Sequence, residues 1–304
     1  PASASPAASV SSSVPAFIGS KVPWEDMYFI NRYNALEIKL TKRGIDDHAF
    51  RLWCAWAREA LPRLDAAFEA RGGTVAPGRR NMATRPLVLC LSDNALGRVS
   101  MEALTTLLTE ELCGVSIVML QLWRNRLGAD AMAPLSQLVE RLGDCAEGGY
   151  GPPQELHLSD NQLGEEGIMT LLESVARAGS SRGPAYPISV SQKGIAPVVR
   201  PLWLRVENNG LPERAYETLV GQAATRMQSI RQARRWRSSV PLLCTHARDR
   251  GEHPCSIWRC QQQSLDDAPV AHIMLRGYGG ASGSRCIGQG FAEGRRPASR
   301  PAHP

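Results

Sequence analysis

The sequence lacks the features that mark several large classes of protein. No apolar run reaches the roughly 18–20 residues that a helix needs to cross a bilayer. Residues 1–17 contain neither a basic segment nor an apolar segment, so we expect no secretory signal there. The chain also has no Gly-rich phosphate loop, no metal-protease helix motif and no nucleophile elbow. These absences argue against an enzyme and against a membrane protein.

Lysine and cysteine are both scarce for a chain of this length. Four Lys stand against 31 Arg, which indicates codon bias before it indicates phosphate chemistry. Eight Cys in 304 residues are too few for a disulfide scaffold. We therefore expect reduced thiols and a cytoplasmic or nuclear protein.

The net charge of +6 is distributed unevenly along the chain. Residues 1–199 hold 19 Lys and Arg against 21 Asp and Glu, a net charge of −2. Residues 200–304 hold 16 against 8, a net charge of +8. The basic character therefore belongs to the last third of the chain.

A short phrase recurs along the chain, since LSDN occurs at 91–94 and again at 158–161. Alignment on its last residue gives four units, and a fifth, weaker copy has Arg in place of Asn. Each unit has apolar residues five and three positions before the anchor, and two and ten positions after it. The five anchors are Arg43, Asn94, Asn125, Asn161 and Asn209.

The recurring pattern predicts one local structure in every unit. The alternation L-x-L-x-L is typical of a short strand with one buried face. An Asn at the following bend can hydrogen-bond backbone groups that the turn would leave unpaired. The segment after the bend has apolar residues at helical spacing, such as Ile168, Leu171 and Val175. Each unit is thus predicted as strand, turn and helix, and because no unit can bury its own apolar face, the units must stack.

This pattern resembles the leucine-rich repeat, and the long helical half of each unit resembles the ribonuclease-inhibitor type. The resemblance covers roughly residues 33–225. It implies an α/β fold: a leucine-rich-repeat solenoid (horseshoe) with irregular repeats and a C-terminal helical or irregular extension. The anchors lie 51, 31, 36 and 48 residues apart, against about 28–29 in a regular array. We therefore expect insertions at 72–86 and 143–153, whereas residues 178–200 fit either an extra strand or an excursion.

The composition divides the chain into four parts. We predict a disordered low-complexity N-terminus at 1–30 and a repeat domain at 31–225. A basic helix and a Cys/His segment follow at 226–276, and the Gly- and Arg-rich residues 277–304 are predicted as a disordered tail.

The resemblance implies that the strands line a concave face, where the residues between the buried leucines point outward. Trp and Arg, which are enriched at energetic hot spots of interfaces, recur at these positions. The alternative is that the inserted loops fold over this face and cover the rings. The candidate partner-binding residues are Trp123, Arg124, His157, Trp203, Arg205 and Glu207.

The segment after the last repeat predicts a long helix, or two, that begins near Pro212 and caps the array. Its end concentrates arginine around one aromatic residue, which is typical of a phosphate-binding surface. The alternative is a solvated basic face on a capping helix. The candidate nucleic-acid residues are Arg226, Arg231, Arg234, Arg235, Trp236 and Arg237, within a possible contact region at 226–260.

Late cysteine and histidine residues suggest one possible metal site. Cys244, Cys255, Cys260 and His272 loosely match a site of three Cys and one His for zinc. The short Cys-x2-Cys spacing of well-defined zinc sites is missing. The alternative is a set of free thiols, and no other cofactor is predicted.

The sequence supports several functions, of which a non-enzymatic scaffold that binds a protein partner through its concave face ranks first. Fold alone does not decide function. A nucleic-acid-associated adaptor with a basic C-terminal module is the second reading. A small-GTPase regulator is the third, because one family of GTPase activators resembles this repeat type. Those activators carry an acidic tail, whereas this tail is basic.

Overall fold

The computed structural model describes residues 24–30, 35–70, 86–112, 116–144, 152–192, 195–237, 239–244 and 268–274. Within these residues the fold is mixed α/β, with a sheet that is mostly parallel. The predicted insertions fall largely on 71–85 and 145–151, and the predicted tail at 277–304 falls entirely beyond residue 274. These segments lie outside the described residues.

The main sheet contains eight strands in the order β1-β2-β3-β4-β5-β10-β12-β11. β1 pairs with β2 in antiparallel fashion, and every other neighbouring pair in this sheet is parallel. The strands are β1 (Tyr28–Ile30), β2 (Leu36–Lys39), β3 (Pro86–Cys90), β4 (Ser116–Gln121), β5 (Glu155–His157), β10 (Leu202–Arg205), β11 (Leu242–Cys244) and β12 (Ala271–Met274).

Five of these strands are each followed by a bend and an α-helix, as the repeat pattern predicts. Successive helices pack side by side against the sheet. No helix in the described part of the chain combines the length and the apolar character needed to cross a membrane. The helices are α1 (Asp47–Ala70), α2 (Arg98–Thr106), α3 (Met132–Asp144), α4 (Gly164–Arg177) and α5 (Glu213–Ala233).

The main core lies between the helices and one face of the sheet. The alternating leucines of the strands point into it, for example Leu87 and Leu89 of β3. From the helices, Leu104 of α2 and Leu171 of α4 meet them there, all at 1% exposure or less. The opposite side of the sheet, which we call the outer face, carries the residues between these leucines.

The anchor asparagines join each unit to the one before it. Asn161 Oδ1 accepts the main-chain N–H groups of Asn125 and Leu127, at 3.1 and 3.2 Å. Its Nδ2 donates to the carbonyls of Leu122 at 3.0 Å and of Leu158 at 3.0 Å. Asn94, Asn125 and Asn209 make the equivalent bonds to the units that precede them. The predicted role of the anchor is confirmed, and it extends across two units.

The first unit has Arg43 at the anchor position, and the structure explains why an Asn is not needed there. The main-chain N–H groups of Arg43 and Ile45 are both bonded by Asn94 Oδ1, at 3.1 Å each. No strand–bend–helix unit precedes β2 among the described residues. An Asn at position 43 would therefore have no earlier bend to join among the described residues.

One predicted core position in the third unit is wrong. The repeat alignment places Val118 in the buried series, but the register between β3 and β4 shifts at Leu87/Val88. This β-bulge leaves Val118 as the extra residue and aligns Ile117 with Leu87. Ile117 is fully buried in the main core, whereas Val118 packs on the outer face.

Residues 178–200, which the sequence left between two readings, form an insertion between α4 and β10. It contains two antiparallel hairpins that lie outside the main sheet. The first pairs β6 (Gly179–Ser180) with β7 (Gly183–Pro184), and the second pairs β8 (Ile188–Gln192) with β9 (Ile195–Arg200). Tyr186 anchors the insertion because its buried hydroxyl donates to the Pro153 carbonyl at 2.6 Å.

Two predicted domain boundaries differ from the structure. Residues 24–30, which were assigned to a disordered N-terminus, form a 3-10 turn (Trp24–Met27) and the edge strand β1. The predicted boundary at 225/226 divides the single helix α5. Moreover, β12 pairs directly with β10, so the sheet continues into the segment predicted as a separate C-terminal part. The sequence pattern could not reveal this, because β12 lacks the repeat's anchor.

Candidate partner-binding face

The outer face of the three strands β4, β5 and β10 brings together the residues that the sequence predicted to point outward. Strand register places Met119 and Trp203 on either side of Glu155, and Gln121 and Arg205 on either side of His157. Main-chain bonds continue the ladder into the bends, where Arg124 N donates to Ser159 O and Asp160 N to Glu207 O. The resulting central patch consists of Met119, Gln121, Trp123, Glu155, His157, Ser159, Trp203, Arg205 and Glu207.

Several polar side chains in the central patch are buried, although the helices lie on the other side of the sheet. Glu155 is 7% exposed, His157 8% and Glu207 9%. Adjacent strands lie only about 4.8 Å apart, so neighbouring side chains screen one another from water. The two tryptophans, Trp123 and Trp203, are half-buried.

Buried side-chain atoms that lack a hydrogen-bond partner occur on this face. A buried polar atom without a partner destabilises a fold, and such atoms are few in native proteins. Their concentration on one surface therefore calls for an explanation. Within the described residues the atoms on this face are Ser92 Oγ, Glu155 Oε2, Ser159 Oγ, Trp203 Nε1, Arg205 Nε and Glu207 Oε2.

Glu155 has cationic or potentially cationic groups nearby. His157 Nε2 lies 3.3 Å from Glu155 Oε2, a charge contact if the imidazole is protonated but without hydrogen-bond geometry. Arg200, at the end of β9, donates from Nη1 to Gln154 Oε1 at 3.1 Å. Burial lowers the pKa of Arg200, and the negative charge of Glu155 opposes that shift. The carboxylate is thus placed in a partly compensated field, and its buried Oε2 accepts no hydrogen bond.

Arg205 and Glu207 form an ion pair along one strand. Arg205 Nη2 donates to Glu207 Oε1 at 3.0 Å. This pair uses only one nitrogen of the guanidinium and one oxygen of the carboxylate. The buried Arg205 Nε and Glu207 Oε2 atoms are left as a donor and an acceptor close to each other.

A row of bend residues borders the central patch. Lys42, Asp93, Arg124, Asp160 and Asn208 each precede an anchor and each have positive φ, between 52° and 59°. Their side chains interact along the row: Lys42 Nζ lies 3.5 Å from Asp93 Oδ2, and Asn208 Nδ2 donates to Asp160 Oδ1 at 2.8 Å. Such pairs between neighbouring units offset part of the cost of the left-handed conformation.

Arg124, a predicted partner-binding residue, belongs to this row and also contacts the patch. Its guanidinium carbon lies 5.2 Å from the centre of the Trp123 ring, and its Nε lies 3.9 Å from Asp160 Oδ2. The cation therefore holds one tryptophan against the edge of the patch.

The outer face around β3 is apolar, beside the Glu37–Lys39 ion pair of β2. Ala35, Val88, Cys90 and Met119 form a small buried cluster, with Val118 packed against it. The outer face, whose residues were predicted to point outward, thus has an apolar part and a polar part. The polar part is the central patch on β4, β5 and β10, and His272 of β12 is aligned beside Trp203.

The predicted basic surface is smaller than the sequence suggested. Arg231 is 1% exposed and donates to the carbonyls of Arg237 and Tyr186, at 2.7 and 3.0 Å. Burial lowers its pKa to about 10. Because this side chain is enclosed, the prediction that it contacts phosphate is wrong. Arg226 is exposed but pairs with Glu173 at 3.0 Å.

Three arginines of that prediction remain exposed around Trp236, namely Arg234, Arg235 and Arg237. The guanidinium carbon of Arg234 lies 4.8 Å from the centre of the Trp236 ring. The ring itself packs close to Gly179, where an added Cβ would lie 2.8 Å from it. The aromatic side chain is therefore fixed against the β6–β7 hairpin.

The predicted zinc ligands are described only in part. Cys255 and Cys260 lie outside the described residues. Cys244 aligns with Met274 and His272 with Leu242, so the two are offset by two positions on neighbouring strands. Burial lowers the pKa of His272 to about 4. In the part of the chain that is described, no three His, Cys, Asp or Glu side chains converge on a metal position.

The chain was compared with protein-family models and with curated proteins. No protein-family model matches the chain, and a search of curated proteins finds no match. What the chain is must therefore be argued from its own residues.

Sequence reasoning missed two features of the site. The alternating charges of the bend row are visible once the repeats are aligned, because each member stands one residue before an anchor. The place of His272 beside Trp203 has no such signal. It depends on the pairing of β12 with β10, two strands that are 69 residues apart in the chain.

Proposed function

We propose that this chain is an irregular leucine-rich-repeat solenoid of the ribonuclease-inhibitor type. Its function is that of a non-enzymatic scaffold that binds a protein partner through the central patch. Five strand–bend–helix units in register support the repeat assignment. The anchor asparagines that bond one unit to the next support it further. In a stack of this kind the strands form one continuous surface.

The unpaired buried atoms of the central patch carry the functional proposal. A partner that supplied donors to Glu155 and Glu207 and an acceptor to Trp203 Nε1 would satisfy groups that the chain leaves unpaired. The half-buried tryptophan rings beside them are residues of the type that dominates binding energy at interfaces. Polar specificity and apolar contact area are thus present on one surface.

A hydrolase is the competing reading of the same residues. Glu155, His157 and Ser159 alternate along one strand, in the order of a carboxylate, an imidazole and a hydroxyl. A nucleophilic serine needs a hydrogen bond to its base. Ser159 Oγ has no hydrogen-bond partner, and Glu155 contacts the imidazole at Nε2. The order of residues matches a catalytic triad, but the geometry favours recognition.

The Cys54 thiol gives limited support for the compartment that we propose, the cytoplasm or the nucleus. It lies outside any disulfide and is buried, and burial raises its pKa far above the usual range. A reduced, unreactive thiol is in keeping with a reducing environment.

Site-specific photo-crosslinking tests the scaffold. A photoreactive residue replaces Gln121 in the central patch, and in a second chain it replaces the exposed Gln137 on α3. We expect a discrete crosslinked protein from position 121 only, which mass spectrometry then identifies. A small GTPase recovered in this way would establish the regulator alternative.

The identified partner is then purified and titrated calorimetrically. The Trp123→Ala/Trp203→Ala double variant should lose binding by at least about 100-fold, since hot-spot aromatics contribute about 2 kcal/mol or more each. The Gln137→Ala variant should bind as the unaltered chain does. Equal crosslinking from both positions, or binding that survives the double variant, would contradict the proposal.

A nucleic-acid-associated adaptor is the second candidate. One observation favours it, which is that Arg234, Arg235 and Arg237 remain exposed around a fixed Trp236. An aromatic ring beside several guanidinium groups suits a single-stranded nucleic acid. The salt-dependence measurement under Discussion tests this surface separately from the central patch.

A further inference from the structure

The unpaired atoms of the central patch occur as neighbouring donors and acceptors. Trp203 Nε1 is a donor and Glu155 Oε2 an acceptor, and strand register places these two residues side by side. Arg205 Nε is a donor and Glu207 Oε2 an acceptor, on the last residue of β10 and two positions after it. Each pair therefore offers one donor and one acceptor, which are the partners of the C=O and the N–H of a peptide group.

Several buried polar side chains elsewhere in the described residues are fully paired. Asn125, Asn161 and Asn209 use both side-chain atoms, and the hydroxyls of Tyr186 and Tyr216 both donate to carbonyls. Unpaired atoms in the central patch therefore contrast with satisfied side chains in the core. An unpaired buried group in a native structure calls for an explanation, and a ligand that completes it is one.

We propose that the central patch binds a segment of a partner protein in extended conformation and recognises its main-chain amides. This inference rests on the proposed function and names the form of the partner. A peptide group supplies an N–H to each carboxylate and a C=O to each neighbouring donor. The two donors, on Trp203 and Arg205, lie two residues apart along β10, about 6.6 Å, which is also the repeat of alternate residues in an extended chain. The two acceptors lie on Glu155, level with Trp203, and on Glu207, four residues beyond Trp203.

Other ligand chemistries fit the patch less well. A phosphate group would be an acceptor for Trp203 Nε1 and Arg205 Nε, but it would face the charges of Glu155 and Glu207 without a donor. A lysine ammonium would satisfy the carboxylates and leave the two donors unpaired. Only a group with alternating donors and acceptors completes both pairs.

The test begins with a phage-displayed library of random linear peptides, panned against the full chain. An enriched peptide is synthesised and titrated by fluorescence anisotropy. We expect N-methylation of the amides that contact the patch to weaken binding about 5- to 10-fold each, because each removes one hydrogen bond. Replacing the side chain at the same positions with Ala should change binding less, since the contact is to the main chain.

Variants of the chain locate the contact. Trp203→Phe removes the indole N–H and keeps a ring, and Glu155→Gln removes the charge and keeps the shape. Each substitution should lower the affinity of the chain for the peptide by about 5- to 10-fold. The matched controls are Trp56→Phe on α1 and Glu166→Gln on α4, both on the helical side, and they should bind as the unaltered chain does.

A double-variant cycle then connects the two sets of measurements. In the Glu155→Gln chain, N-methylation of the amide that donates to Glu155 should have less effect than in the unaltered chain. Denaturant unfolding of this variant checks that the fold is intact. Because the substitution keeps the shape of the side chain, unfolding should stay cooperative, although loss of the charge beside His157 and Arg200 lowers the denaturant midpoint.

The outcomes separate this inference from the proposed function. Failure of any peptide to enrich, or affinity that ignores N-methylation, overturns recognition of main-chain amides. If position 121 still crosslinks a folded partner, the scaffold proposal stands while this inference fails. If position 121 crosslinks nothing as well, both fail. A dimer of the chain that Trp203→Phe dissociates would also overturn the inference, in favour of self-association.

Discussion

Asn161 shows how a single side chain joins two units of the structure. It accepts two main-chain N–H groups of the preceding unit, and it donates to carbonyls of both that unit and its own. The bonds are buried, so water cannot replace them. The recurrence of the Asn at the same place in each unit thus has a direct physical reason: each bend leaves polar groups that the Asn of the next unit pairs.

Replacing this anchor should destabilise the fold strongly. We expect Asn161→Ala to lower the free energy of unfolding by about 3 kcal/mol, because it leaves several buried N–H and C=O groups unpaired. Gln162→Ala, at the exposed neighbouring position, should change it by less than about 0.5 kcal/mol. Urea denaturation followed by circular dichroism measures both. A loss below about 1 kcal/mol for Asn161→Ala would mean that water reaches the bend.

Arg231 and Arg234 are close in sequence and differ in environment. Arg231 is enclosed and bonded to two carbonyls, whereas Arg234 is exposed and lies on the Trp236 ring. We expect Arg231→Ala to lower the free energy of unfolding by about 2–4 kcal/mol, since two buried acceptors and the packing of the side-chain stem are lost. Arg234→Ala should cost less than about 1 kcal/mol. Equal effects in the same denaturation assay would contradict the buried position of Arg231.

At the scale of elements, β12 is the part of the structure that the sequence pattern failed to predict. It lies between β10 and β11, and Ala271 and Ile273 of the strand are fully buried in the main core together with Val270, which precedes it. The strand therefore continues the sheet beyond the fifth unit. α5, which was predicted as a terminal cap, is confirmed to bury Leu219 and Met227 in the core, but sheet strands follow it.

A chain that ends at residue 225 should lose its stable fold. The cut removes the last eight of the 21 residues of α5 together with β11 and β12, and with them Met227, Val270 and Ile273 from the core. Their burial contributes about 5–9 kcal/mol, at about 1.5–3 kcal/mol each, which is close to the entire stability of a typical domain. Size-exclusion chromatography and thermal melting should show aggregation or a lost cooperative transition.

A chain that ends at residue 276 is the matched control for this cut, because it keeps every described element. It should melt cooperatively. A stable, monomeric 1–225 chain would show instead that the predicted boundary at 225 divides two independent parts.

His272 on β12 should make stability depend on pH. Its pKa is lowered from 6.5 to about 4, because burial disfavours the charged imidazole. The unfolded chain therefore takes up a proton near pH 6.5, while the folded chain does so only near pH 4. The contribution of the neutral His272 to the free energy of unfolding is complete above about pH 7, and it is lost as the pH falls from 6.5 towards 4. The loss amounts to about 3 kcal/mol.

Denaturant unfolding between pH 7.5 and 4 measures this contribution. We expect His272→Gln to flatten the pH dependence by about this amount, whereas His48→Gln, at an exposed position on α1, should leave the slope unchanged. If His272→Gln unfolds with the same pH dependence as the unaltered chain, the buried imidazole is not the responsible group.

At the scale of the whole molecule, charge is separated from the binding surface that we propose. The last third of the sequence carries a net charge of +8, whereas the central patch mixes carboxylates with a guanidinium. Burial of Arg231 and pairing of Arg226 leave three exposed cations on the helix-end surface. A polyanion would therefore meet a weaker surface than the sequence suggested.

This arrangement limits the salt dependence of nucleic-acid binding. We compare the full chain with an Arg234→Ala/Arg235→Ala/Arg237→Ala variant, using a single-stranded RNA over a salt series. Three phosphate contacts predict a difference in the slope of log K against log salt of at most about 2, from about 0.7 per contact. Equal slopes for the full chain and the variant would show that this surface does not bind RNA. A difference well above 2 would mean that further cations act with it.

The sequence by itself determined the units of this structure, because their signals are local. Alternating leucines specify strands, helical spacing specifies the segments after the bends, and an Asn with its hydrogen-bonding side chain marks each exit. Five units were predicted, and strand, bend and helix follow each other in all five. The outward series on β4, β5 and β10 was also predicted from period-two alternation, and it forms the central patch.

Only the tertiary structure decided how these local elements meet. The bulge at Val118 depends on the alignment of β3 with β4, and the enclosure of Arg231 depends on a carbonyl of Tyr186 that lies 45 residues away in the chain. The insertion of β12 beside β10 likewise joins distant residues without a repeat motif. Strand register and burial both depend on contacts between segments that are far apart in the sequence. A pattern that extends over a few residues therefore carries no information about them, and the pairing of Glu155 with Trp203 could be found only in the folded sheet.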